Sequence, residues 1–134
     1  MAQFFQAKKK TLSGQSLTLA ISGMDHQGRG IAKHNNKVCF VSGALTGETV
    51  KAKLTEDKAR YSAAKTIKVE QASEARVKPF CEHYQQCGGC QLQHLRLDQQ
   101  LVEKQVAVSQ LFSKFAKLDA MNWQAPLLSE PTHY

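Results

Sequence analysis

The sequence predicts a mainly β fold, a five-stranded OB-like barrel followed by a cysteine loop and one amphipathic helix. Three observations lead there. Short runs of alternating polar and apolar residues recur through the first 80 positions, with turn residues spaced every ~8–12 residues. The texture changes at Pro79, after which three cysteines fall close together. Beyond them, apolar residues return at three- and four-residue steps. A chain of 134 residues has room for one domain, or for one small domain and a piece of another.

The first expected strand holds Leu17, Leu19 and Ile21, alternating with Ser16, Thr18, Ala20 and Ser22. Gly28-Arg29-Gly30 breaks that pattern, and extended character resumes from Ile31 to Lys33. His34-Asn35-Asn36 is a tight-turn signal leading into Lys37–Val41. Gly43 to Gly47 reads as a loop. Val50, Ala52 and Leu54 alternate with Lys51, Lys53 and Thr55, which sets lysines on the solvent face. A polar turn at Glu56-Asp57-Lys58 then introduces a longer strand from Arg60 to about Glu70. Cys39 falls within a strand and is expected as a small buried thiol of the barrel wall.

After the cysteines, Leu97, Leu101, Val108, Leu111, Phe112, Phe115 and Leu118 share one helical stripe, and Asp98 is placed to cap the helix start. Met121 to Tyr134, with Pro126 and Pro131, has no periodicity and leaves Trp123, Leu127 and Leu128 without an obvious cover. The expected division is a basic tail over 1–13, the barrel over 14–77, and the cysteine loop, helix and start of a truncated further domain over 78–134.

The chain carries 18 Lys+Arg against 11 Asp+Glu, a formal net charge of +7. Residues 1–80 hold 14 of those basic residues and only 6 of the acidic ones, so a polyanionic partner belongs to the N-terminal half. Lys51, Lys53, Lys58, Arg60, Lys65 and Lys68 concentrate on the last two strands and their turn, and Arg29 sits between two glycines where a backbone approaches a ligand closely. These seven are the candidate RNA-binding residues; the plain alternative is a solvated, lysine-protected sheet face. No apolar run is long enough to cross a membrane, and the N-terminus lacks the compact apolar stretch of a signal peptide.

Cys81, Cys87 and Cys90, with Gly88 and Gly89 between the last two, have a spacing suited to one metal centre. The spacing leaves three outcomes open. An iron–sulfur cluster would take a fourth cysteine from further along the chain. A zinc ion would take His83 or His94 as its fourth ligand. The thiols would otherwise be free. Clustered cysteines fit a reducing, cytoplasmic setting better than a secreted disulfide scaffold. Phe80 and Tyr84 flank the loop, where they would stack on a base or shield a metal. His94 is expected to be packed or hydrogen-bonded.

Gly28-Arg29-Gly30-Ile31-Ala32, Phe40-Val41-Ser42-Gly43-Ala44-Leu45 and Gly47-Glu48 resemble the barrel of a TRAM domain, an OB-like RNA-binding module. Cys87-Gly88-Gly89-Cys90-Gln91-Leu92-Gln93-His94-Leu95 resembles the signature that follows this domain in S-adenosylmethionine-dependent 23S ribosomal RNA uracil-C5-methyltransferases. The resemblance covers about residues 14–118. It implies that Cys81, Cys87 and Cys90 hold a [4Fe–4S] cluster with a fourth ligand outside this chain. It also implies a 23S ribosomal RNA partner, and S-adenosylmethionine only in the full-length enzyme; a monomer with no membrane partner is expected. No catalytic residue of that family is expected within this chain, so alone it should not methylate. The alternatives are a stand-alone zinc-stabilised RNA-binding module and, more remotely, a TRAM-bearing methylthiotransferase, whose cysteine spacing and domain order both differ.

Overall fold

The computed structural model describes residues 15–130; the basic tail expected over 1–13 lies outside the described residues. Six strands are present among them: β1 (Ser16–Ala20), β2 (Gly23–Met24), β3 (Gly30–His34), β4 (Lys37–Ser42), β5 (Thr49–Asp57) and β6 (Tyr61–Gln71). One more strand forms than the alternation predicts, because a two-residue β2 is too short to show a period. Two helices follow, α1 (Tyr84–Cys87) and α2 (Leu97–Ala116).

The strands make one sheet in the order β1-β5-β6-β4-β3-β2, with β4 and β6 parallel and every other pair antiparallel. The sheet curls so that the chain leaving β1 meets both its ends. Ile21 donates its N–H to Glu48 O at 2.9 Å, and Ser22 donates to Ile31 O at 2.8 Å. Three register shifts in the β5–β6 pair supply the coiling that such closure needs. Asn35 and Asn36 both take left-handed backbone (φ 49° and 60°), giving the twist-matched two-residue turn between β3 and β4. The turn after β5 lies later than Glu56–Lys58, because Asp57 stays paired with Ser62 and Lys58 N–H donates to Tyr61 O.

Inward residues form a core of Leu19, Ile21, Ala32, Cys39, Val41, Ala44, Val50, Ala52 and Ala64. Cys39 is fully buried, and desolvation pushes its thiol pKa upward. Gly30 is required by close approach, since a Cβ there would lie 2.9 Å from Ile21 Cγ2. A second cluster, Met24, Leu45 and Leu95 with Ala75 and Leu92 against it, fastens the segment after the cysteines to the barrel.

That attachment is reinforced by a buried ion pair. Glu48 accepts Arg76 Nε at 2.6 Å and Nη2 at 2.8 Å, Leu45 N–H at 2.9 Å and Ser73 N–H at 3.2 Å, and Arg76 also donates to Gly43 O. Burial alone would raise the Glu48 pKa, but these donors outweigh it and leave the carboxyl below its usual range. From Arg76 the chain bridges to Leu95, with Val77 N–H on His94 O and Arg96 N–H on Ala75 O.

α2 departs from expectation at its start. Asp98 lies inside the first turn, not at the cap. There it pairs with Arg96, whose hydrogen bond holds the Asp98 carboxyl down to about 2. The apolar stripe is unburied: no residue of α2 is buried, and Leu97, Val108, Leu111, Phe112, Phe115 and Leu118 stay exposed. Residues 117–130 form no helix or strand, and Trp123, Leu127 and Leu128 are exposed as expected.

Candidate nucleic-acid interface

The pairing of β5 with β6 places four of the expected lysines opposite one another. Lys51 faces Lys68 and Lys53 faces Lys65, and all four are exposed. Residues directly opposite in a sheet point to the same side, and Lys51 and Lys53 are two positions apart, so the quartet shares the outer face. β1 extends both rows with small polar residues, Thr18 beside Lys51 and Ser16 beside Lys53. Opposed ammonium groups destabilise a bare sheet. An anionic chain lying across the rows relieves that repulsion.

Lys58 and Arg60 fall on the turn at one end of these strands, both exposed. Lys58 is partly committed: its ammonium lies 3.0 Å from Glu56 and 5.3 Å from the centre of the Tyr61 ring, and bonds to Tyr61 and Glu56 hold its pKa above the ordinary lysine range. Arg29 is more firmly held. Its Nε and Nη2 lie 2.8 and 2.7 Å from Asp25 Oδ2, and its Cζ sits 4.4 Å from the Phe40 ring centre. Thus the seven candidates form an open quartet, a turn pair and one neutralised arginine, not a single patch.

The cysteine loop is not gathered around a single centre in this structure. Among the described residues no three Cys, His, Asp or Glu side chains are grouped to hold a metal ion. Cys81 is half-buried while Cys87 and Cys90 are exposed, and no disulfide joins them. Backbone bonds instead wind Cys87 into α1, with its N–H on His83 O, and Gly88 (φ 70°) ends that turn before Cys90. Thiols gain nothing by converging without a cation, since ligand gathering and metal binding are coupled. As arranged, the three sulfurs do not fit a cluster; the donor types do.

Tyr84 is tied inward through its hydroxyl, donating to Gln91 O at 2.7 Å and bonding His94 Nδ1. The single phenolic proton goes to Gln91 O, which makes His94 Nδ1 the donor of the second bond. His94 is buried as expected, and desolvation lowers its pKa to about 4. Phe80 is exposed. Sequence reasoning passed over Phe40 and Tyr61, which meet edge to face at 6.0 Å on the outer side of β4 and β6. The available signal was Phe40 alternating with inward Cys39 and Val41. The Glu48–Arg76 pair left no signal, because its partners are far apart in the chain.

Comparison with known proteins adds the following. Residues 10–72 match the TRAM domain model. The whole chain is 72% identical to the 23S rRNA (uracil(1939)-C(5))-methyltransferase RlmD of Pseudoalteromonas translucida, covering 30% of that protein. It is 48% identical to the enzyme of the same name from Shewanella piezotolerans and 47% to that of Vibrio campbellii, again over the whole chain and about 30% of each relative. A solved structure, of a conserved Methanococcus maripaludis protein, is 26% identical with a TM-score of 0.39, over 50% of this chain and 100% of that one. No helix among the described residues is long and apolar enough to cross a membrane.

Proposed function

From a chain that carries a TRAM domain and aligns throughout with the RlmD methyltransferases, we propose the RNA-recognition part of an S-adenosylmethionine-dependent 23S ribosomal RNA uracil-C5-methyltransferase. The target is the uracil that the relatives' names specify. The single observation that carries the reading is the pairing of Lys51 with Lys68 and Lys53 with Lys65 on one exposed face. Such a face grips phosphates of an unpaired strand without reading sequence. The protein acts in the cytoplasm as a monomer. The chain spans about 30% of the relatives it matches, and the reading assigns methyl transfer to the part it does not cover, so that this chain alone binds RNA without methylating it.

The same reading assigns Cys81, Cys87 and Cys90 to a structural [4Fe–4S] cluster, completed by a ligand outside this chain. The loop gathers its thiols only when the metal and that ligand are both present. No step of recognition is routed through it.

Two experiments test the proposal. Binding of the chain to a single-stranded 23S RNA segment is measured across a salt series. Changing both Lys51 and Lys53 to glutamate should flatten the log–log salt slope by about 1.4, from roughly 0.7 per lost phosphate contact. An unaltered slope removes the lysine face from the account. Separately, the longer protein purified without oxygen should contain iron and acid-labile sulfide. One zinc per chain, with neither of those, supports the zinc-stabilised module instead.

A further inference from the structure

Arg29 has no role in the lysine argument, and its geometry suits a different one. Asp25 takes Nε and Nη2 of the guanidinium and also accepts the Arg29 backbone N–H at 2.8 Å. Phe40 lies beneath it at 4.4 Å, and Tyr61 braces Phe40 edge-on at an interplanar angle of 64°. The plane is therefore fixed before any ligand arrives. A phosphate would meet the Asp25 carboxylate here, so this arginine is poorly suited to clamp an anion. What remains available is its π surface.

The Arg29 side chain keeps 32% of its exposure and lines an open cleft of about 430 Å³. Lys65, Lys68, Gly43 and Gln91 line the same cleft. Two members of the lysine quartet thus line the same cleft as Arg29. Guanidinium planes and aromatic rings are common platforms for bases splayed from a single strand.

We propose that the Arg29 guanidinium, held over Phe40, is a stacking plate for one unpaired base of the RNA strand whose phosphates rest on Lys65 and Lys68. This rests on the RNA-recognition reading and adds a base contact to it. The plate accepts any base, because every base has a π face. Asp25, Phe40 and Tyr61 are positioning residues for it.

The 134-residue chain is titrated with a mixed adenine–uracil octanucleotide RNA, and with an abasic ribose-phosphate strand of the same length. The Arg29 Nε–H proton should shift upfield through the ring current of the stacked base. Arg29→Lys, which keeps the charge, should weaken binding of the base-bearing strand by roughly two- to fivefold, the size of an exposed cation–π contact. Its salt slope and its affinity for the abasic strand should not change. Phe40→Leu leaves the Asp25–Arg29 pair in place and should weaken the same strand by a similar factor. A stationary Nε–H signal at saturation, with both variants binding as the parent does, overturns the plate while the lysine face stands. Failure of the parent chain to bind either strand overturns both.

Discussion

Residues 16–71 and residues 97–116 both carry regular apolar patterning, at periods of two and of about 3.6. The barrel strands bury theirs: Val41, Val50, Cys39 and Ala52 have no measurable exposure. α2 buries none of its residues, and Phe115 is 74% exposed. The difference is one of partners. A curled sheet supplies its own opposing wall, whereas a single helix needs a second surface. Amphipathic periodicity therefore predicts that a face wants burial, and not that this chain can provide it.

That contrast can be broken most directly by core truncation. Leu19→Ala should cost about 3–4 kcal/mol in urea unfolding, through lost transfer energy and a residual cavity in a closed core. A cost below about 1 kcal/mol would mean the barrel is no better packed than the helix. The next largest effect sits at the joint between the two regions. Glu48→Gln leaves Arg76 short of its charge partner and should cost about 2–3 kcal/mol, discounted because Arg76 is partly exposed. The folded-state pKa of Glu48 is lowered, so its contribution is complete above its ordinary 4.5 and is lost as pH falls through the lower folded value.

His94 gives a separate pH limb. It is a base whose pKa drops from 6.5 to about 4 on burial, so the unfolded chain binds the proton first. Stability is complete above pH 6.5 and declines as pH falls toward 4, by about 2 kcal/mol at pH 5. Urea midpoints that stay flat from pH 7 to 5 would contradict a buried neutral imidazole. Smaller still, Lys68→Glu should stabilise the barrel by up to about 1 kcal/mol, replacing a like-charge cross-strand pair with an attractive one, while it weakens RNA binding. A loss of stability there would show that the rows do not repel. Val106→Ala on the exposed side of α2 should change stability by less than about 0.5 kcal/mol. A larger cost would place that face against something.

Particular residues show why some of this was legible from the chain. Leu17/Leu19 and Val50/Ala52 declare strands because a period of two is a local property, and Asn35-Asn36 declares its turn because few residues tolerate left-handed backbone. Lys51 and Lys53 were recognisable as outward for the same reason. That Lys68 and Lys65 stand opposite them was not, since register depends on bulges spread along β5 and β6. The cysteines had suggestive spacing, yet spacing gives only reach. Their backbone is set by α1 and the Gly88 turn, and the thiols stay apart.

By itself, then, the sequence determined the alternating strands, the charge bias of the first 80 residues, the helix and the resemblance to a TRAM domain. Tertiary structure decided the parallel pairing of β4 with β6, the opposed lysines, the Glu48–Arg76 joint and the seating of Arg29 on Phe40. The reason is physical. Periodicity and turn preference act over a few residues, whereas pairing, burial and ion-pair formation join segments tens of residues apart that only the closed sheet brings together.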